Sequence, residues 1–292
     1  MILLRSIPSW LGFRPAPGSS SHEARADGAP TGPGNQMSWK RLLASLAFYP
    51  KVGLAIYKAG RKGKRHLLDA PAVAAFGGEV KRGLESVGVR FEITGLEHLT
   101  PGRPVVYISN HMSVLETLVL PALLPVDPPC TFVIKKSLLD YPVFGHVIGA
   151  LDPIVVTREN PRSDLVTVLI EGEKRLRGGK SVVIFPQAAR SMDFDAATFN
   201  SLGVKLAQRA GVPIVPIALR TDAWGLGRYV RDIGWIDPGR KVHFAFGQPI
   251  PAAKGDRQVN DEVVSFIKDR VEEWAQCGEA TAARPAAEDH RS

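Results

Sequence analysis

Pro104-Val105-Val106-Tyr107-Ile108-Ser109-Asn110-His111-Met112-Ser113-Val114-Leu115-Glu116-Thr117-Leu118-Val119-Leu120 is the stretch from which the fold is read. Residues 105–109 form a short β-branched run after a proline, the pattern of a buried strand. From Ser113 the apolar residues continue to Leu124 and stop at Pro125, as an amphipathic helix would. A strand passing into a helix through Asn110-His111-Met112 is half of a βα unit.

The same alternation recurs outward in both directions. Upstream, 72–84 reads as a helix ending at the Val87-Gly88 turn, and 89–94 as a strand. Downstream, strands are expected at 131–134, 154–157, 181–185, 213–219 and 242–246, with helices at 161–177, 202–210 and 259–274. Gly178-Gly179 and Gly211 close two of those helices. Short apolar strands separated by helices predict an α/β fold with a mostly parallel or mixed sheet flanked by helices. No internal repeat is present.

The ends differ from this middle. Residues 1–36 carry a broken apolar start, then mostly Gly, Pro, Ser and Ala, and read as a flexible tail without a secretory signal. Residues 37–69 hold Trp39, Leu42, Leu43, Leu46, Phe48, Leu54 and Tyr57 around Pro50, followed by Lys58, Arg61, Lys62, Lys64 and Arg65. A spanning helix needs about 20 mostly apolar residues. This segment is interrupted, and reads instead as two short helices with a proline joint lying in a membrane interface. The remaining parts are a folded domain over 70–277 and a C-terminal tail over 278–292.

The chain has 292 residues, 45% of them hydrophobic and 23% charged, which excludes a wholly disordered, collagenous or multi-span protein. Its net charge of +8 favours anionic partners. No aromatic–basic motif supports nucleic acid as that partner. Cys130 and Cys277 form neither a disulfide framework nor a zinc knuckle, and fit a reducing compartment.

In sheets of this kind ligands bind beyond the carboxyl ends of the strands. Those ends carry Asn110-His111…Glu116, Lys135-Lys136, Thr157-Arg158 and Pro186-Gln187-Ala188-Ala189-Arg190-Ser191. On one continuous helix His111 and Glu116 would lie about 140° apart. They meet if His111 sits in the loop and Glu116 in the first turn. The carboxylate then fixes the imidazole tautomer and leaves the other nitrogen to accept a proton from a substrate hydroxyl. The competing reading is local: Ser113-Val114-Leu115-Glu116 is a capping box, in which Glu116 only satisfies backbone N–H groups. His146 reads as a packed core histidine, and His66 and His243 show no partner pattern. Ser191 reads as a turn cap. No Gly-x-Ser-x-Gly elbow and no Gly-x-x-x-x-Gly-Lys loop is present.

Taken in order, Asn110-His111-x-x-x-x-Glu116, Phe132-Val133-Ile134-Lys135-Lys136-Ser137-Leu138, Tyr141-Pro142-Val143-Phe144-Gly145, Thr157-Arg158, Phe185-Pro186-Gln187-Ala188-Ala189-Arg190-Ser191, Gly211-Val212-Pro213-Ile214-Val215-Pro216-Ile217 and Gly247-Gln248-Pro249-Ile250 resemble the glycerolipid acyltransferase superfamily, and within it the bacterial 1-acyl-glycerol-3-phosphate acyltransferases. The resemblance spans roughly 85–250. It implies His111 as general base on a lysophospholipid hydroxyl that attacks an acyl thioester, with Glu116 orienting the ring. It implies Lys135, Arg158 and Arg190 as basic site residues, with Lys135 and Arg190 on the phosphate. It also implies an apolar groove for an acyl chain, acyl-CoA or acyl-carrier-protein thioester as co-substrate, membrane lipid as partner, and no metal or resident cofactor. The place of action it implies is the cytoplasmic face of the inner membrane, bound peripherally or monotopically.

Three departures stand out. Glu116 stands where the family usually has Asp. Gln187-Ala188-Ala189 replaces the usual Glu-Gly-Thr, and Asn200 replaces a basic residue near Phe199. Gln187 keeps an acceptor oxygen but loses the charge. It is therefore read as a substrate-binding position that shifts acceptor choice, with another lysolipid acceptor or a non-catalytic lipid binder as the alternatives.

Overall fold

The computed structural model describes residues 38–187, 189–227, 230, 232–252 and 256–282, with the backbone alone described at 256 and 277–282. The tail expected over 1–36 and its counterpart over 283–292 lie outside the described residues, as does the side chain of Cys277.

The chain runs α1 (Trp39–Lys64), α2 (Ala70–Glu85), β1 (Arg90–Thr94), β2 (Val106–Ser109), α3 (Val114–Leu123), β3 (Cys130–Lys135), α4 (Phe144–Gly149), β4 (Ile154–Val156), α5 (Pro161–Arg177), β5 (Ser181–Ile184), α6 (Leu202–Ala210), β6 (Ile214–Arg220), β7 (Lys241–Phe246) and α7 (Asp256–Ala282). Local sequence explains many of the boundaries. Asp69 caps α2, accepting from the Ala72 N–H at 2.9 Å, and Asn160 caps α5 ahead of Pro161. Gly211, at φ 68°, closes α6 in the left-handed conformation that favours glycine.

Among the described residues seven strands lie in the order β1-β7-β6-β2-β5-β3-β4. Every pairing is parallel except β6 with β7, where Ile217 faces Phe246 and Arg220 faces His243. Five strands from β6 to β4 therefore point one way, and β7 and β1 the other. The connection from β2 to β3 passes β5, while the connection from β5 to β6 returns past β2. β2 is thus flanked by two strands whose crossovers run in opposite directions, the topological position at which ligands bind.

Alternation along each strand divides the core into two layers. Tyr107, Val183, Val215 and Ile217 face the layer built with α1, α2, α3 and α4. Val106, Ile108, Val182, Ile184 and Ile214 face the layer built with α5, α6 and α7. Phe48, Leu84, Leu115 and Leu206 are fully buried, each stabilising the fold by about 1.5–3 kcal/mol through area removed from water. Two close approaches need glycine. A Cβ on Gly77 would lie 2.8 Å from the Leu118 carbonyl oxygen, and one on Gly203 2.6 Å from Ile108 Cδ1.

The N-terminal segment departs from its expectation in two ways. It is one continuous helix, not two joined at Pro50. Pro50 sits on the exposed face, and packing of Ala44, Phe48, Val52, Ala55 and Ala59 on the other face outweighs the hydrogen bond it removes. Nor is it a separate segment, because the chain from Trp39 onward forms one compact unit. α7 also extends at both ends past the expected 259–274, and its C-terminal end runs into residues expected as tail. Among the described residues no helix is long and apolar enough to cross a membrane.

Candidate active site

The site begins with Asn110, buried just past β2. Its amide donates to the Leu219 carbonyl at 2.8 Å, and its carbonyl accepts from the Leu219 N–H at 2.9 Å. This double bond to the neighbouring strand fixes where the loop leaves the sheet. Ser113 then caps α3: its hydroxyl accepts from the Leu115 N–H, and the Glu116 carboxylate reaches back to the Ser113 N–H.

The capping box and the acid–base pair turn out to be one arrangement. Glu116 is fully buried. Its Oε1 accepts from Met112 N–H at 2.7 Å, Ser113 N–H at 2.8 Å and His111 Nδ1 at 2.8 Å. Its Oε2 accepts from Thr221 Oγ1 at 2.7 Å and lies 3.0 Å from Ser113 Oγ. Burial alone would raise the pKa of Glu116. The bonds from His111 and Thr221, the His111 charge and the backbone donors outweigh it and hold the carboxyl below its ordinary value. An ionised carboxylate only accepts, so Nδ1 of His111 carries a proton, and in the neutral ring the lone pair is on Nε2.

His111 is held from three further directions. Its ring stacks on Phe185, with centroids 4.3 Å apart and planes at 19°. Its N–H donates to Gln187 Oε1 at 2.7 Å, and its carbonyl accepts from the Ser191 N–H at 2.9 Å. The imidazole side chain remains 15% exposed. The ring is thus fixed in plane and held through Nδ1, a geometry that suits a general base. Cys130 offers no alternative nucleophile, because burial pushes its thiol up to about 12.

A family model described as Acyltransferase matches residues 90–220. The chain is 31% identical to a 1-acyl-sn-glycerol-3-phosphate acyltransferase of Pseudomonas aeruginosa, over 64% of this chain and 68% of that protein. The chain belongs to the acyltransferase family. A protein of the same name from Borreliella burgdorferi is 29% identical, over 66% of this chain and 74% of the relative. The crystal structure of the 1-acyl-sn-glycerophosphate acyltransferase PlsC from Thermotoga maritima superposes with a TM-score of 0.62, covering 85% of this chain and 99% of that one, at 20% identity. That last likeness speaks to the fold.

In this acyltransferase the basic residues expected at the site are spread along one sheet edge. Arg190 stands closest, one residue before Ser191, whose backbone is bonded to His111. Lys135, exposed, ends β3, two strands from β2 and so roughly 10 Å across the sheet. Arg158, also exposed, follows β4, one strand further out. Its backbone, at φ 64°, is held by a 2.7 Å bond from its N–H to Asp164 Oδ2. Gln187 is buried, and its oxygen is engaged by the His111 backbone, so it bridges two loops of the scaffold. Asn200 likewise bonds to the Pro186 carbonyl.

The sequence reading missed Thr221, Phe185 and Asp232. Phe185 stood in a quoted motif with no role assigned. Thr221 carries no signal, because only the pairing of β2 with β6 brings the end of β6 beside Glu116, and Asp232, ion-paired with Arg190, comes from the segment after β6. The other histidines differ from expectation. His146 is exposed, because short α4 buries Gly145, Val147 and Ile148 instead. His243 has partners: Glu92 Oε2 at 3.2 Å and the Trp274 ring, stacked at 4.8 Å. Ser191 does cap a turn, accepting from the Asp193 N–H.

Two spaces adjoin the site. An open groove of about 1010 Å³ is lined by Met112, Met192, Phe194, Arg220, Asp222 and Trp235 among others, so it starts at the residue after His111. An apolar seam between α2, α3 and α4, lined by Phe76, Leu118, Phe132 and Phe144, holds only about 20 Å³. That is room for a single water and not for an acyl chain. Among the described residues no three His, Cys, Asp or Glu side chains are grouped to hold a metal ion.

Proposed function

We propose that this acyltransferase moves a fatty acyl group from a thioester to the free hydroxyl of 1-acyl-sn-glycerol-3-phosphate, giving phosphatidate. The observation that carries the reading is the imidazole of His111, bonded through Nδ1 to a fully buried carboxylate with Nε2 left for substrate. Nε2 takes the proton of the acceptor hydroxyl as its oxygen attacks the thioester carbonyl. Glu116 stabilises the imidazolium that forms. Collapse of the tetrahedral intermediate breaks the C–S bond, and the proton passes from Nε2 to the departing thiolate. The thioester of either coenzyme A or acyl-carrier protein would supply the acyl group as co-substrate.

The phosphate acceptor is supported by Arg190 beside the dyad and by the names of the relatives. It is also supported by Gln187, whose departure from the usual glutamate falls on the scaffold under His111 instead of on an open acceptor surface. The lipid would be met at the cytoplasmic face of the inner membrane. Trp39, Leu43, Leu46, Leu54 and Tyr57 line the outer face of α1 and are all more than half exposed, with Lys58, Arg61, Lys62 and Lys64 at its end. An apolar stripe beside cations suits peripheral docking on anionic lipid.

The test is acyl transfer by the His111→Ala variant, using both thioester donors and a panel of lysolipid acceptors. Loss of at least about a hundredfold in kcat is expected with vesicle binding retained. Undiminished transfer would remove the proposal, and a preference for an acceptor without a phosphomonoester would redirect it to another lysolipid.

A further inference from the structure

Arg190 is joined to Asp232 by an ion pair between Nη1 and Oδ1. Asp232 lies in the segment after β6, far from Arg190 in sequence, and both side chains are mostly buried, at 18% and 26% exposure. The carboxylate is not on a loose loop. The Asp232 carbonyl accepts from the Trp224 indole N–H at 3.2 Å. Trp224 is itself buried and packs edge-on against Phe48 of α1, with centroids 5.0 Å apart. Tyr49 of α1 donates to the Gly234 carbonyl, and the Ile236 N–H donates to Ser45 Oγ at 2.9 Å. Gly234 and Gly227 are required for this close fold: a Cβ on either would lie within 2.1 Å of a backbone oxygen. The segment is therefore seated on α1, and it delivers one carboxylate to one guanidinium.

At its other end Arg190 is fixed to the catalytic loop, since the next residue donates its N–H to the His111 carbonyl. A guanidinium at the end of a long side chain binds phosphate well only when its planar fork is already aimed. We infer that Asp232 is a positioning residue for the acceptor site, aiming the guanidinium of Arg190 at the phosphate of the lysolipid. This rests on the reading of Arg190 as a phosphate ligand. Asp232 itself touches no reacting atom. Through Trp224 and Tyr49, the same aim depends on where α1 lies.

The experiment compares Asp232→Asn, Asp232→Ser, Asp232→Glu, Arg190→Ala and the double variant Arg190→Ala/Asp232→Asn, with 1-acylglycerol-3-phosphate and 1-acylglycerol as acceptors. For Asp232→Asn and Asp232→Ser, KM for the phosphate acceptor should rise about five- to tenfold, with kcat within about twofold. KM for 1-acylglycerol should not move, and Asp232→Glu should recover most of the loss. The double variant should be no worse than Arg190→Ala alone, as two residues acting through one contact require. An unchanged KM in the Asp232→Asn and Asp232→Ser variants, while Arg190→Ala raises it, would overturn the inference. So would a lowered KM, which would make Asp232 a competitor of phosphate, or an equal loss with both acceptors, which would make it merely structural. If Arg190→Ala itself leaves KM for the phosphate acceptor unmoved, it is the phosphate reading that fails.

Discussion

A single carboxylate at position 116 serves two masters: the first turn of α3 and the ring of His111. A glutamine there keeps the size but loses the charge, and its NH2 group points a donor at donors. Glu116→Gln is expected to lose activity by about a hundredfold or more and to lower stability by about 3–5 kcal/mol, since several buried donors lose their anion. Activity and urea midpoints measured on the same preparation check both effects, and a variant that loses activity with an unchanged midpoint would contradict the shared role. Gln187 gives the complementary case. Gln187→Glu retains the oxygen that accepts from the His111 N–H and should stay active. Gln187→Leu strands that N–H and should cost about 1–3 kcal/mol as well as activity.

The elements were largely legible, because each is written locally: β-branched runs for β2 and β5, Asn160-Pro161 to open α5, Gly211 to end α6. What was not legible depended on tertiary contact. Pro50 breaks an isolated helix, but α1 is held by Phe48, Val52 and Ala55 against the core, which no local pattern reveals. Thr221 reaches the site only through strand order, and Asp232 only through the seating of its segment on α1. His111 and Glu116 were legible as a spacing, and their meeting followed from the helix starting at Val114, three residues past His111. The element-scale prediction concerns the outer face of α1. Leu43→Glu with Leu46→Glu changes two exposed side chains, so the melting temperature should hold. Binding to anionic vesicles should fall several-fold, and more steeply as salt rises. Sedimentation with vesicles checks this, and undiminished binding would move the docking face elsewhere.

The whole molecule carries a net charge of +8, and His243, half-buried, and Glu116, buried, titrate against it in acid. His243 is held below its ordinary 6.5, first by burial and then by Arg220 and Lys241, against the opposing pull of Glu92 and Asp222. A histidine with a lowered folded-state pKa stabilises the fold above the unfolded value, and that contribution is lost as pH falls. Glu116, held below 4.5, has the same sign and acts lower on the scale. Stability should therefore decline in two stages, beginning below about pH 6.5 and again below about pH 4.5, where Glu116 is joined by Glu92 and Asp152, also held low by their cationic partners. Urea midpoints across that range read the curve, and His243→Gln should flatten the upper stage alone. A curve flat between pH 7 and 5 in the unaltered protein would refute the assignment to His243.

The merging of helix cap and ring partner at Glu116 also decides which inert version of this protein is worth making. A blank for lipid assays must bind, fold and survive purification like the parent while doing no chemistry. Altering position 116 spoils the scaffold together with the chemistry. Altering the imidazole at 111, whose main-chain bonds to Gln187 and Ser191 need no particular side chain, silences the reaction and leaves the rest of the molecule to serve as its own control.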